Sequence, residues 1–429
     1  METTVKFSRV AAYLVLALFL TSCARFNPDF VLPDFCELFD DIPTIELPAN
    51  PGVVLEDAGK IMVMHGSTQA RVDTAGRIIK IEQSVDIPSY ANQATVLLNG
   101  WRLGYLGDDQ HVLAVSALIT KIRLDRRGLK LTWNAAGAIR DDDFEESYQF
   151  TYHYTVIAWN DTQLNLVVDQ GSPDKFCNPD LNIPDKSFVT VNNGTTALSS
   201  FNVFALEPQF PQGQPIAVLP RGFGFMYAGD HHLLQLAYNL EHSEVFAEKG
   251  KTYNNNRQAH TIGDLEVGTQ APLPTNASRV DSGFVSWRTD AILKDNSDVR
   301  EYLFGELVST LGGSDVRTIQ PPFSVLPKKG EGGGTLEGGV ISQDVVIENV
   351  PFNYAIPMLT GWEIGYLTDD QHVKDLGIWI DDWSFAGGTL SYKLSSILRD
   401  NDLFPAHFAR HKITILGIRS VVGAPRQSP

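Results

Sequence analysis

The sequence predicts an all-β protein built as three tandem β-sandwich or jelly-roll-like repeats, the second diverged and carrying a long loop insertion. Three observations predict this. Two near-identical octapeptides, GYLGDDQH at Gly104–His111 and GYLTDDQH at Gly365–His372, lie inside longer matching stretches. Apolar residues in those stretches recur with period two, which places them on one face of a strand. Turn-forming residues, including 35 Gly and 23 Pro, punctuate the chain, and no body segment sustains a capped helical period.

The first copy occupies 61–169 and the third 338–422. Each runs from the octapeptide through alternating apolar residues to an acidic turn, AIRDDDF at Ala138–Phe144 and SILRDNDLF at Ser396–Phe404. Each then closes on an apolar strand, YTVIAW at Tyr154–Trp159 and ITILGI at Ile413–Ile418. The second copy, 187–326, aligns Gly222 with Gly100 and Gly361, Phe223 with Trp101 and Trp362, and Tyr227 with Tyr105 and Tyr366. It carries an insertion over 242–282 containing NNN and APLPTN, which reads as loop. An aromatic–aliphatic–aromatic stripe defines one strand face in every copy: Trp101, Leu103, Tyr105; Phe223, Phe225, Tyr227; Trp362, Ile364, Tyr366. Units of about a hundred residues can bury a core of their own. The copies can hang as beads on a string.

Composition excludes some functions. The formal net charge of −17 argues against nucleic acid or an anionic membrane surface as the main partner, and permits divalent metal. No Gly-x-Ser-x-Gly, His-Glu-x-x-His, P-loop or dinucleotide fingerprint is present, so the chain reads as non-catalytic. The enzyme alternative, a hydrolase, would place its site at the second copy's insertion, which holds His242 and His260.

Three residue sets carry candidate chemistry. Asp-x-His recurs as Asp109/His111, Asp230/His232 and Asp370/His372. On one reading each unit binds a divalent ion through this pair, with Asp108 or Asp369 contributing. On the other, the Asp caps a turn and the His packs at a strand start. The acidic turns supply Asp141 and Asp143, Asp295 and Asp298, and Asp400 and Asp402. They read as Ca²⁺ ligands or as hydrogen-bonded turns; they lack the EF-hand pattern. Trp133, Trp159, Trp287, Trp379 and Trp383 lie outside the stripe and serve either as sugar-stacking platforms or as core.

The N-terminus carries Lys6 and Arg9, an apolar run at Val10–Leu20, and then Leu20-Thr21-Ser22-Cys23. The run is too short to span a bilayer. This motif resembles the lipobox of bacterial lipoproteins. The resemblance implies a signal peptide over 1–22, fatty-acyl chains such as palmitate on Cys23, and a tether over 23–60. Ala24, rather than Asp, implies the outer membrane of the cell envelope. Cys36 and Cys177 then lie in an oxidising compartment, as a disulfide or as two free thiols. The repeat pattern is similar to H-type lectin domains, with VIAW at Val156–Trp159 as the nearest echo; its residue order differs and no binding residue carries over. That similarity implies, in place of beads on a string, that the three copies imitate the family's trimer. The expected function is a lipid-anchored envelope protein whose modules bind a glycan or a protein partner. A structural subunit of an envelope assembly is the alternative.

Overall fold

The computed structural model describes residues 44–46, 51–57, 59–72, 79–141, 146–164, 166–169, 189–191, 198–205, 215–241, 244–246, 260–262, 265–267, 284–295, 302–313, 316–319, 324–326, 339–367, 370–401 and 407–419. The signal peptide, Cys23, Cys36, Cys177, Asp143, Asp298 and Asp402 lie outside the described residues, as do the side chains of Asp230 and Trp287. The described residues are all-β, with no helix among them.

Fifteen strands frame the body, five from each sequence copy. The first copy supplies β1 (Ile79–Asp86), β2 (Gln93–Tyr105), β3 (Val112–Asp125), β4 (Lys130–Arg140) and β5 (Tyr148–Trp159). The second supplies β6 (Leu198–Ala205), β7 (Pro215–His231), β8 (Gln235–Glu241), β9 (Phe284–Lys294) and β10 (Tyr302–Gly312). The third supplies β11 (Ile341–Ile347), β12 (Tyr354–Tyr366), β13 (Asp375–Ala386), β14 (Thr389–Arg399) and β15 (His407–Ile418).

Hydrogen bonding crosses the copy boundaries. One sheet runs β1-β4-β3-β7-β10, a second β6-β9-β8-β12-β15, and a third β11-β14-β13-β2-β5. Each sheet therefore takes three strands from one copy and two from another. This corrects the expectation of one self-contained sandwich per copy and removes the bead-on-a-string layout. The physical reason is that β2, β7 and β12 each have two edges, one bonded within the copy and the other to a neighbouring copy. Unpaired backbone along a buried strand would be costly.

The register at the three seams is the same. Ala117 faces Phe223, Tyr238 faces Trp362 and Ile378 faces Trp101. The second apolar stripe of one copy thus lies beside the aromatic stripe of another, and all six of these residues are buried. A β-bulge interrupts β2, β7 and β12 at Asn99, Arg221 and Thr360, just before the aligned glycines. A Cβ on Gly100 would lie 2.3 Å from Trp379 Cα, and one on Gly222 would lie 2.3 Å from Leu118 Cβ. Gly100 also has φ of +148°. The glycine in each copy is explained by the neighbouring copy's strand passing over it.

The seams differ in polar chemistry. Between β2 and β13, Arg102 donates to both oxygens of the buried Asp375, at 2.9 and 2.6 Å. Between β12 and β8, Gln235 donates to the buried Glu363, which also pairs with Arg410 at 3.3 Å. Between β7 and β3 the residues at the equivalent positions are Gly224 and Ala114, which carry no polar side chain. Inside the body, Trp101, Phe223 and Trp362 form a triangle with ring separations of 5.0, 5.2 and 5.0 Å. The bulged Asn99 reaches across it: its amide donates to Pro357 O at 2.9 Å, and its oxygen accepts from Leu359 N–H at 2.8 Å.

Parts of the segments read as tether and insertion are ordered strands. Thr44–Glu46 pairs with β1, and Pro51–Asp57 pairs with Ile61–Val72, which in turn extends the third sheet beside β5. Glu244–Phe246 pairs with β7, while His260–Ile262 and Leu265–Val267 pair with each other.

Candidate functional site

The Asp-x-His segments lie at or just past the ends of β2, β7 and β12, and each is pinned to both neighbours. Gln110 and Val373 exchange backbone hydrogen bonds of 3.1 and 2.8 Å; Leu233 and Gln371 exchange bonds of 2.9 and 3.1 Å. His231 pairs with Val112. His111 therefore sits between Gln110, tied to the third copy, and Val112, tied to the second. His232 and His372 are flanked in the same way. The last aromatic of the stripe fixes the loop from below: Tyr105 Oη donates to His111 O at 3.2 Å, and Tyr366 Oη to His372 O at 3.0 Å.

This closed ring of bridges brings the three histidines together. Their ring centroids lie 4.7, 4.7 and 4.6 Å apart, and the planes cross at 67–69°. One nitrogen of each imidazole lies within 4.8 Å of one nitrogen of each of the others. A tetrahedral ion bound at about 2.0–2.1 Å needs its nitrogens about 3.3 Å apart. Inward movement of each side chain by about 1 Å meets that requirement. The arrangement can hold one ion among three copies, where the sequence expectation was one ion in each.

Carboxylates back the ring from other copies. Asp370 Oδ2 lies 3.8 Å from His232 Nδ1, and Asp109 Oδ2 lies 3.9 Å from His372 Nδ1. The matching sequence position for His111 is Asp230, whose side chain lies outside the described residues. The pairing is thus between an Asp of one copy and a His of another, not within each Asp-x-His. Burial pushes the Asp109 carboxyl up, but hydrogen bonding with Asp400 and Asn401 N–H, and the nearby His372, bring it below the usual carboxylate range. Burial lowers His232, and the neighbouring His111 and His372 lower it further against the pull of Asp370 and Asp295. A neutral imidazole is the form that ligates metal, and a carboxylate behind it is the usual way its ring is oriented.

Of the acidic-turn residues, Asp141, Asp295 and Asp400 are buried at the ends of β4, β9 and β14. Asp295 Oδ2 lies 3.5 Å from His231 Nδ1, and Asp400 engages Asp109. Two of the three turns therefore support the histidine loops. Asp108 is exposed, and Asp369 lies outside the described residues.

Trp133, Trp159, Trp379 and Trp383 are buried. Trp133 Nε1 donates to Tyr152 Oη at 3.1 Å, and Trp159 Nε1 to Leu166 O at 3.2 Å. These four serve the core rather than a sugar platform. The shallow depression lined by Asn92, Ala94, Leu124, Asp125, Arg126 and Arg127 contains no aromatic side chain. His65, from the HGSTQ stretch, is buried with Nε2 at 3.1 Å from Ile380 O, far from the ring in function: it ties two strands of the third sheet.

Sequence reasoning gave no site role to Tyr105, Tyr366 or the bulge glycines. The glycine recurring before each aromatic stripe was the available signal that another strand passes close by. Comparison with known proteins finds no match: no family model, no curated protein and no solved structure.

Proposed function

We propose that this chain is a non-catalytic, lipid-anchored protein of the bacterial cell envelope whose three-copy body binds one divalent transition-metal ion at His111, His232 and His372. The observation that supports this reading is the convergence of one imidazole from each copy, two of them backed by carboxylates, within reach of a single ion. Imidazole suits Zn²⁺, Ni²⁺ or Cu²⁺, whereas Ca²⁺ requires six or more oxygens. The lipobox at Cys23 supports anchoring to the outer membrane, and the acidic charge supports a partner other than nucleic acid. Within this reading the body docks a protein partner of the envelope. The buried tryptophans weigh against glycan stacking as its mode of recognition.

Titration calorimetry on the mature, lipidated protein in detergent tests the metal site. Zn²⁺ should bind with one ion per chain, and His372→Ala should abolish the heat, while Ca²⁺ should give none. Three Zn²⁺ per chain, or no Zn²⁺ heat from folded protein, would defeat this reading. Labelled palmitate incorporation that persists in Cys23→Ser would defeat the anchor.

A further inference from the structure

We propose that the ion held by His111, His232 and His372 keeps one coordination position open, and that this position takes an uncharged imidazole nitrogen, a histidine side chain of a docking partner, in preference to a carboxylate. This rests on the metal reading above and specifies the partner's chemistry. Three observations carry it.

The first is the number of ligands. Among the described residues the ring consists of three histidines, with no fourth Cys, His, Asp or Glu in the cluster. A tetrahedral ion on three protein ligands has one position for an outside donor. The nearest carboxylates are committed elsewhere: Asp370 and Asp109 lie on the Nδ1 side of their histidines, and Asp109 accepts from Asn401 N–H at 3.2 Å. They stand behind the rings, at 3.8 and 3.9 Å from Nδ1.

The second is access. The side chains of His232 and His372 are each 40% exposed, while that of Asp109 is 9% exposed. The imidazoles therefore face solvent and the carboxylates lie behind them. The open position points away from the body, where a partner can reach it. Leu367, one residue past the end of β12, is an exposed apolar residue in the segment that leads to His372. It offers contact area to a docking segment.

The third is charge. Asp109 and Asp370 sit within 4 Å of two ring histidines, and Asp108, next to Asp109 in the chain, is exposed. An approaching carboxylate meets like charge at short range in a partly desolvated site, whereas a neutral imidazole does not. Imidazole is also a strong donor to the later first-row metals.

Cobalt substitution separates the outcomes. The mature full chain is loaded with Co²⁺ in detergent, desalted, and titrated with imidazole or acetate while the d–d absorption bands are followed and retained cobalt is measured. His372→Ala and His372→Gln, each checked for β structure by circular dichroism, should lose the bands. In the wild type, imidazole should shift the bands with cobalt retained, and acetate should need at least tenfold higher concentration. Asp108→Lys should narrow that ratio several-fold. Bands that ignore imidazole, or respond equally to acetate, overturn the inference while leaving the metal site intact. No cobalt bands from folded protein would remove the metal reading, and the inference with it.

Discussion

The aromatic triangle and the imidazole triangle are built alike and serve different ends. Ring separations are 5.0–5.2 Å in the first and 4.6–4.7 Å in the second. Both take one residue from each copy. Trp101, Phe223 and Trp362 are buried, whereas His111, His232 and His372 are partly open to solvent. Convergence of three copies creates either a dry packing core or a shared ligand set. The choice depends on which end of the strands the residues occupy and on whether water is excluded. The first triangle holds the copies together by dispersion and area burial. The second stands at the strand ends, partly open to solvent.

Substitutions can test this contrast. Trp362→Ala should cost about 3–5 kcal/mol in chemical denaturation, because a large buried ring and two of the triangle's three contacts are lost. Trp101→Phe should cost less than half of that: its Nε1 is buried without a hydrogen-bond partner, and the second copy already has a Phe at this position. Equal losses would show that the triangle is not a shared core.

Acid should come next. Burial lowers His153 to about 3 and His411 to about 4, and it lowers His65 as well. These folded values lie below the unfolded value of about 6.5, so the native state binds fewer protons than the unfolded one. The contribution is complete above about pH 6.5 and is lost as pH falls toward the folded values. Urea midpoints should therefore drop steadily between pH 7 and pH 4. His153→Gln or His411→Gln should flatten that slope.

Gly222→Ala should destabilise by about 1–3 kcal/mol, because the added methyl must displace Leu118 or separate β7 from β3. Asp109→Asn should leave one Zn²⁺ per chain but weaken its binding about 10- to 100-fold, as expected for a residue behind a ligand. The smallest effect on folding belongs to the ring itself. His372→Ala should leave metal-free stability within about 0.5 kcal/mol. It should remove the stabilisation of about 2.7 kcal/mol that an ion at a hundred times its dissociation constant confers. A large loss in the metal-free protein would make the histidines structural.

Much of this body was legible in the residues. The period-two stripes identified the strands, and the alignment of Gly100, Gly222 and Gly361 anticipated which positions would be equivalent. The Asp-x-His recurrence named the ring histidines. Two things were not legible. Strand periodicity states which face a side chain occupies but not which strand lies at the next edge, so the sheets were assigned to single copies. For the same reason each Asp was paired with its own His, two residues away. In the structure the partner comes from another copy, as with Asp109 and His372, because the loops bridge around the axis.

The amino-acid order by itself determined the class, the recurring strands and the residue types available for chemistry, since alternation, turn composition and repetition are local properties. Tertiary structure alone decided that one histidine from each copy converges with the others, that Asp295 and Asp400 stand behind two of the histidine segments, and that Trp133, Trp159, Trp379 and Trp383 are core. Those outcomes depend on which edges hydrogen-bond across the copies and on which side chains are removed from water.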